Sequence, residues 1–144
     1  NFLSGKAFYD SGRVSGYRDA DGEMAIEYQR DFAGRITSIS DQTRRKVTYS
    51  YDDLGQLTEV TDVDGVKTTY LYEGGKIIRK VVGEEEGINF KYGLDNTLRS
   101  AVNDNGEGVT YRYEYDRKKK EFIRIEKVIG GEERISVFNE QMRP

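Results

Sequence analysis

Three short acidic clusters come nearest to a chemical motif by residue type and spacing: Asp19-Ala20-Asp21-Gly22, Asp62-Val63-Asp64-Gly65 and Asn103-Asp104-Asn105-Gly106. Oxygen donors on alternate residues before a glycine are how a calcium loop begins. Such a loop also needs a bidentate Glu at its twelfth position and flanking helices. Neither context accompanies these clusters, so they read as turns, where Asp and Asn precede Gly for backbone reasons. The 144 residues contain no His and no Cys. That removes imidazole bases, thiol nucleophiles, disulfides and Cys/His zinc sites. The serines have no His base and no G-x-S-x-G elbow, and nothing marks two of the many carboxylates as facing each other. The expectation is a protein that is not an enzyme, with no catalytic residue, no metal and no cofactor.

Two other groups of side chains could bind rather than react. Arg117-Lys118-Lys119-Lys120 lies beside Tyr111, Tyr113 and Tyr115, which suggests nucleic acid. Against it stands a balance of 23 basic and 26 acidic residues, net charge −3, which gives no general attraction to a polyanion. The run reads instead as a solvated hairpin tip or a charged edge that blocks aggregation. Glu84-Glu85-Glu86 reads as a loop tip in the same way. The 11 tyrosines could stack on sugars or bases. They could equally be the core, and with only 35% hydrophobic residues, Tyr included, the core needs them.

What positions these residues is a repeat. Tyr28, Tyr49, Tyr70, Phe90 and Tyr111 follow one another at spacings of 21, 21, 20 and 21. Two residues further along runs a second column: Tyr9, Arg30, Tyr51, Tyr72, Tyr92 and Tyr113. A third column reads Gly12, Gly34, Gly55, Gly75 and then Asn96, the common substitute where φ is positive. Apolar residues stand two and five positions after it, as in Ile36 and Ile39 or Leu57 and Val60. Asp19, Asp41, Asp62 and Asn103 stand at plus seven.

Val47-Thr48-Tyr49-Ser50-Tyr51 alternates as a half-buried strand does. Asp52-Asp53-Leu54-Gly55 is a turn, and residues 56–61 return as the partner strand. Leu57 and Val60 are three apart, which predicts a bulge. Each repeat is therefore one β-hairpin, marginal alone and dependent on its neighbours, with the aromatic columns expected to run as a cross-strand ladder. Arg30 interrupts its column and is expected either to wet that face or to stack on Tyr51 or Tyr9. Beyond residue 109 the pattern predicts a longer hairpin, a Gly-Gly turn and one more strand. The fold class is all-β, a curved antiparallel sheet of about six hairpins and 12 to 14 strands, by the counting above.

The stretch from Tyr49 to Asp62, YSYDDLGQLTEVTD, resembles the YD repeat of Rhs proteins, Tc-toxin shell components and teneurins. Phe32 to Asp41 is a second copy and Tyr9-Asp10-Ser11-Gly12-Arg13-Val14 a third. The resemblance spans residues 7–116, with degenerate units at Tyr72-Glu73 and Gly93-Leu94-Asp95-Asn96. It implies a strip of a larger β-shell that often encloses a C-terminal toxic domain. No aspartyl-protease-like cleavage segment of the kind many Rhs proteins carry is visible.

The expected organisation is one YD/Rhs array over 1–144, read as a piece of a longer protein because it starts at Asn1 and ends at Pro144. The function expected is a structural segment of a secreted or cell-surface shell. Its partners would be neighbouring repeats or an enclosed polypeptide, and cut-off edge strands would favour self-association. A surface adhesion or carbohydrate-binding module using exposed tyrosines is the alternative, and an inhibitor- or chaperone-like cradle a third. No apolar run is long enough for a membrane-spanning helix, so neither membrane insertion nor nucleic-acid binding is expected.

Overall fold

The computed structural model describes residues 6–139. Their regular structure is entirely strand: β1 (Lys6–Asp10), β2 (Arg13–Arg18), β3 (Met24–Arg30), β4 (Ile36–Asp41), β5 (Lys46–Tyr51), β6 (Leu57–Thr61), β7 (Lys67–Glu73), β8 (Lys76–Val82), β9 (Ile88–Tyr92), β10 (Leu98–Asn103), β11 (Gly108–Asp116), β12 (Glu121–Val128) and β13 (Glu133–Asn139). Strand order follows chain order in the sheet, and each pairing described is antiparallel. The chain divides into two compact units, Asn1–Tyr70 and Leu71–Pro144.

In the first unit the alternation of residue types sorts two faces. Tyr28 pairs with Ile39 and Ile39 with Val47, while Tyr49 pairs with Val60. On the other face a polar row crosses five strands: Gln29, Ser38, Thr48, Thr61 and Lys67 stand opposite one another in turn. Ser38, 4% exposed, is the buried polar residue of the described chain, and its hydroxyl donates to Gln29 Oε1 at 2.9 Å. In the second unit Ile125, 6% exposed, is the one apolar residue buried to that degree among the described residues. Among the described residues of each unit the strands meet only their neighbours in the sheet, and most of the aromatic rings are half-buried.

The spacing of three between the apolar positions has a direct cause. Tyr9 pairs with Val14, Arg30 with Ile36, Tyr51 with Leu57 and Tyr92 with Leu98, each across a register shift that leaves one extra residue on the returning strand. The bulge returns the next apolar position to the tyrosine face. It recurs at the same place in the repeat, beside the turn.

One turn serves both ends of the hairpins. The Asp52 N–H donates to Gln56 O at 2.9 Å and the Gly55 N–H to Asp52 O at 3.0 Å. The same pair of bonds closes Asp19 to Glu23, Asp31 to Arg35, Asp41 to Arg45, Asp62 to Val66, Gly93 to Thr97 and Asn103 to Glu107. This is a type I turn ending in a left-handed residue, one of the standard hairpin loops. Gly12 and Gly75 also have positive φ, 79° in both, but in two-residue loops with Ser11 and Gly74. The fourth residue of the turn is glycine at most sites and Asn96 at one, yet Arg44 occupies it at φ 66°.

A left-handed non-glycine residue costs about 1–2 kcal/mol, part of which the wider freedom of an unfolded glycine cancels. Arg44 is exposed, so Arg44→Gly is expected to raise stability by about 0.5–1 kcal/mol. Chemical denaturation of the two proteins, compared at the midpoint, checks this.

Candidate functional site: the repeat columns

Within each unit, the second tyrosine column ties one repeat to the one before it. The Tyr51 hydroxyl donates to the Ile36 carbonyl at 2.7 Å, and the Tyr92 hydroxyl donates to Ile77 at the same distance. Both acceptors stand two residues after the glycine column of the preceding repeat. Arg30 takes the tyrosine's place and does the same work: its guanidinium donates to the Val14 carbonyl and to Gly34 O, both at 3.0 Å. The expected stacking of Arg30 on Tyr51 or Tyr9 is therefore not what the residue does.

The cation over Tyr51 is Arg35, with its guanidinium carbon 5.0 Å from the ring centre. Lys76 Nζ stands 5.4 Å from the Tyr92 ring centre, and the Arg99 guanidinium 5.0 Å from that of Tyr113. Arg35 and Lys76 both follow the glycine column directly. Lys76 also donates to Asn96 Oδ1, and the Arg13 guanidinium lies where a side chain at Gly34 would project. A basic residue after the column thus covers the turn of the next repeat. Asp31 holds Arg35 in place, Nε to Oδ2 at 2.8 Å, as Asp95 holds Arg99 at 2.9 Å.

The columns are not alike in exposure. Tyr28, Tyr49, Tyr70, Tyr72, Phe90 and Tyr111 are half-buried. Partial desolvation, with the Glu126 charge adding to it, pushes the Tyr111 hydroxyl above its ordinary range. Tyr9 is 65% exposed and Tyr113 37%. The described ring pairs, Tyr17 with Tyr28 at 6.2 Å and Tyr115 with Phe122 at 4.8 Å, do not join successive members of a column. Hydrogen bonds to backbone and cations over rings connect the repeats.

The first residue of each acidic cluster spends its Oδ1 on its own turn. Asp62 Oδ1 accepts the amides of Asp64 and Val66, Asp19 those of Asp21 and Glu23, and Asn103 those of Asn105 and Glu107. Among the described residues no group of acidic side chains is arranged to hold a metal ion. At other turns hydrogen bonds hold carboxyls below the usual range: Asp52 chiefly through the Gln56 amide, and Asp41 and Asp95 through the hydroxyls of Thr43 and Thr97.

One network was not legible in the repeat. Asp104 takes a bidentate pair from Arg79 at 2.8 and 2.9 Å, the Asn89 amide at 3.1 Å and the Gly87 N–H at 3.1 Å. Arg79 first, then Asn89, hold its carboxyl far below the ordinary range. The network clips the loop carrying Glu84, Glu85 and Glu86 to the next turn, and Glu86 meets the Asn105 amide. Arg117, Lys118, Lys119 and Lys120 sit exposed at the β11–β12 tip.

Two outcomes follow. Tyr51→Phe leaves the Ile36 carbonyl without its donor and is expected to cost about 0.5–1.5 kcal/mol. Tyr49→Phe, which removes no side-chain hydrogen bond described here, changes stability little; urea titration of both compares them. The depressed carboxyls of Asp41, Asp52, Asp95 and Asp104 favour the folded state when ionised. Their contribution is complete above the unfolded carboxyl pKa, about 3.9, and is lost as pH falls through the lower folded values. The urea midpoint should therefore hold between pH 7 and 5 and drop below about 4; a decline already between 7 and 5 would contradict this.

Comparison with known proteins supports the same reading. The RHS Repeat family model matches residues 33–67 and 51–79. A search of curated proteins found no match. Among solved structures, TcdB2-TccC3 aligns at 18% identity with a TM-score of 0.61, over 83% of this chain and 7% of that one. TcdB2-TccC3-Cdc42 aligns at 14% identity and 0.64, over 94% and 10%. The Tc holotoxin pore of Photorhabdus luminescens aligns at 14% and 0.63, over 94% and 9%. The chain thus spans a tenth or less of the solved chains it matches, and at these identities the likeness is one of fold. The family match thus marks residues 33–79 as similar to RHS repeats, and the shared turn recurs on either side of that stretch.

Proposed function

We propose that the chain is a non-enzymatic wall segment of a secreted Rhs/YD-repeat shell that encloses a toxin or effector domain. The observation that carries this reading is the fastening of repeat to repeat: Tyr51 to Ile36, Tyr92 to Ile77 and Arg30 to Val14. Side chains used in this way join one repeat to the next, as a wall built by serial addition requires. Neighbouring repeats and the enclosed polypeptide are then the partners. The fold likeness to toxin components many times longer supports a segment of a larger assembly.

The reading of the parent frame on either side of these residues tests it. Repeats that continue for hundreds of residues and lead to a non-repeat C-terminal domain would support enclosure. A frame that ends close to both termini leaves too little sheet to surround a domain, and would overturn it.

A further inference from the structure

The β11–β12 hairpin is built differently from the others. Its strands are the longest, nine and eight residues, in unbroken register from Val109–Val128 to Asp116–Glu121. β10 pairs with β11 only as far as Thr110, whereas β13 follows β12 out to Glu121. The outer half of β11 therefore projects beyond its β10 neighbour. Register places Tyr115, Phe122 and Phe138 in one row and Tyr113 with Arg124 in the next, all on one face. They line an apolar groove of about 690 Å³. Tyr113, Tyr115 and Phe122 are 37%, 45% and 40% exposed although the Tyr115 and Phe122 rings touch, with centres 4.8 Å apart, which leaves an exposed apolar patch.

Charge marks what fits there. The Arg124 guanidinium stands 5.9 Å from the Tyr111 ring centre and 5.8 Å from that of Phe138, and its buried Nε has no acceptor. At the tip Arg117, Lys118, Lys119 and Lys120 are exposed, and among the described residues none joins an ion pair. The carboxylates nearby are largely occupied. Glu114 accepts from Arg112 at 3.2 Å, and Asp116 accepts the Lys118 and Lys119 amides; Glu121 faces Asp116 across the hairpin. Asp95 at the groove's edge is paired with Arg99.

We infer that this hairpin docks an extended acidic peptide segment, with an aromatic or aliphatic side chain in the groove and carboxylates two or three residues along against the basic tip. The rings lie set back from the cations by about 7–10 Å at the rise of a strand. A flat anionic surface touching the tip would leave Phe122 uncovered, whereas a chain running along the hairpin meets both. This site does not depend on the shell reading.

The test is fluorescence anisotropy of the whole chain with a labelled peptide in which Trp-Leu is followed by a run of glutamates, beside its glutamine counterpart and vesicles containing phosphatidylserine. The acidic peptide should bind at least about tenfold tighter than the amide one, and the gap should close in high salt. Lys118→Glu with Lys119→Glu, in an exposed turn, should weaken it by about tenfold or more, and Phe122→Ala similarly with the circular dichroism unchanged. Equal affinity for the two peptides, no effect of the lysine pair, or binding to vesicles but not to peptide would overturn the assignment.

Discussion

A side chain reaching back to a backbone carbonyl is the contact on which the rest depends. A one-layer sheet buries little: among the described residues only Ile125 and Ser38, with the glycines Gly16 and Gly87, are buried. A lone hairpin is marginal in water, so each repeat must draw its order from the one beside it. Tyr51 and Tyr92 supply that link with a hydroxyl, and Arg30 with a guanidinium. The substitution of Arg for Tyr keeps the geometry while changing the chemistry, which identifies the hydrogen bond to the carbonyl, and not the ring, as the shared requirement.

The bulge and the turn make that contact repeatable. In four hairpins a register shift beside the turn sets the second-column residue opposite the apolar position two residues after the glycine column, as Tyr51 stands opposite Leu57. The left-handed turn then presents a basic residue, Arg35 or Lys76, over the ring of the next repeat. At the Arg35 turn an Asp31 oxygen also caps the Arg35 amide, as Asp52 and Asp62 cap theirs, whereas Lys76 follows a two-residue loop. Such a series adds stability by intrinsic and nearest-neighbour contributions, as in other repeat arrays.

The hairpins, the strand number and the bulge implied by Leu57 and Val60 were legible because period-two alternation and a 21-residue period act on every residue. The link from Tyr51 to Ile36 was harder to read, since its acceptor is backbone and leaves no mark on residue type. The basic residue after the glycine column, present at Arg13, Arg35 and Lys76, was a readable signal for the cations over the rings. Arg44 in a left-handed position was hidden because its neighbours Asp41 and Arg45 complete a turn that elsewhere has glycine. The Arg79–Asp104–Asn89 network lies where the period slips to 20, and so no column pointed to it.

Native-state hydrogen exchange on Tyr51→Phe tests the central claim, that stability passes from one repeat to the next through the second column. The account predicts lost amide protection in β3 to β6, with β10 to β13 unchanged. Protection lost evenly along the chain, or not lost at all, would contradict it.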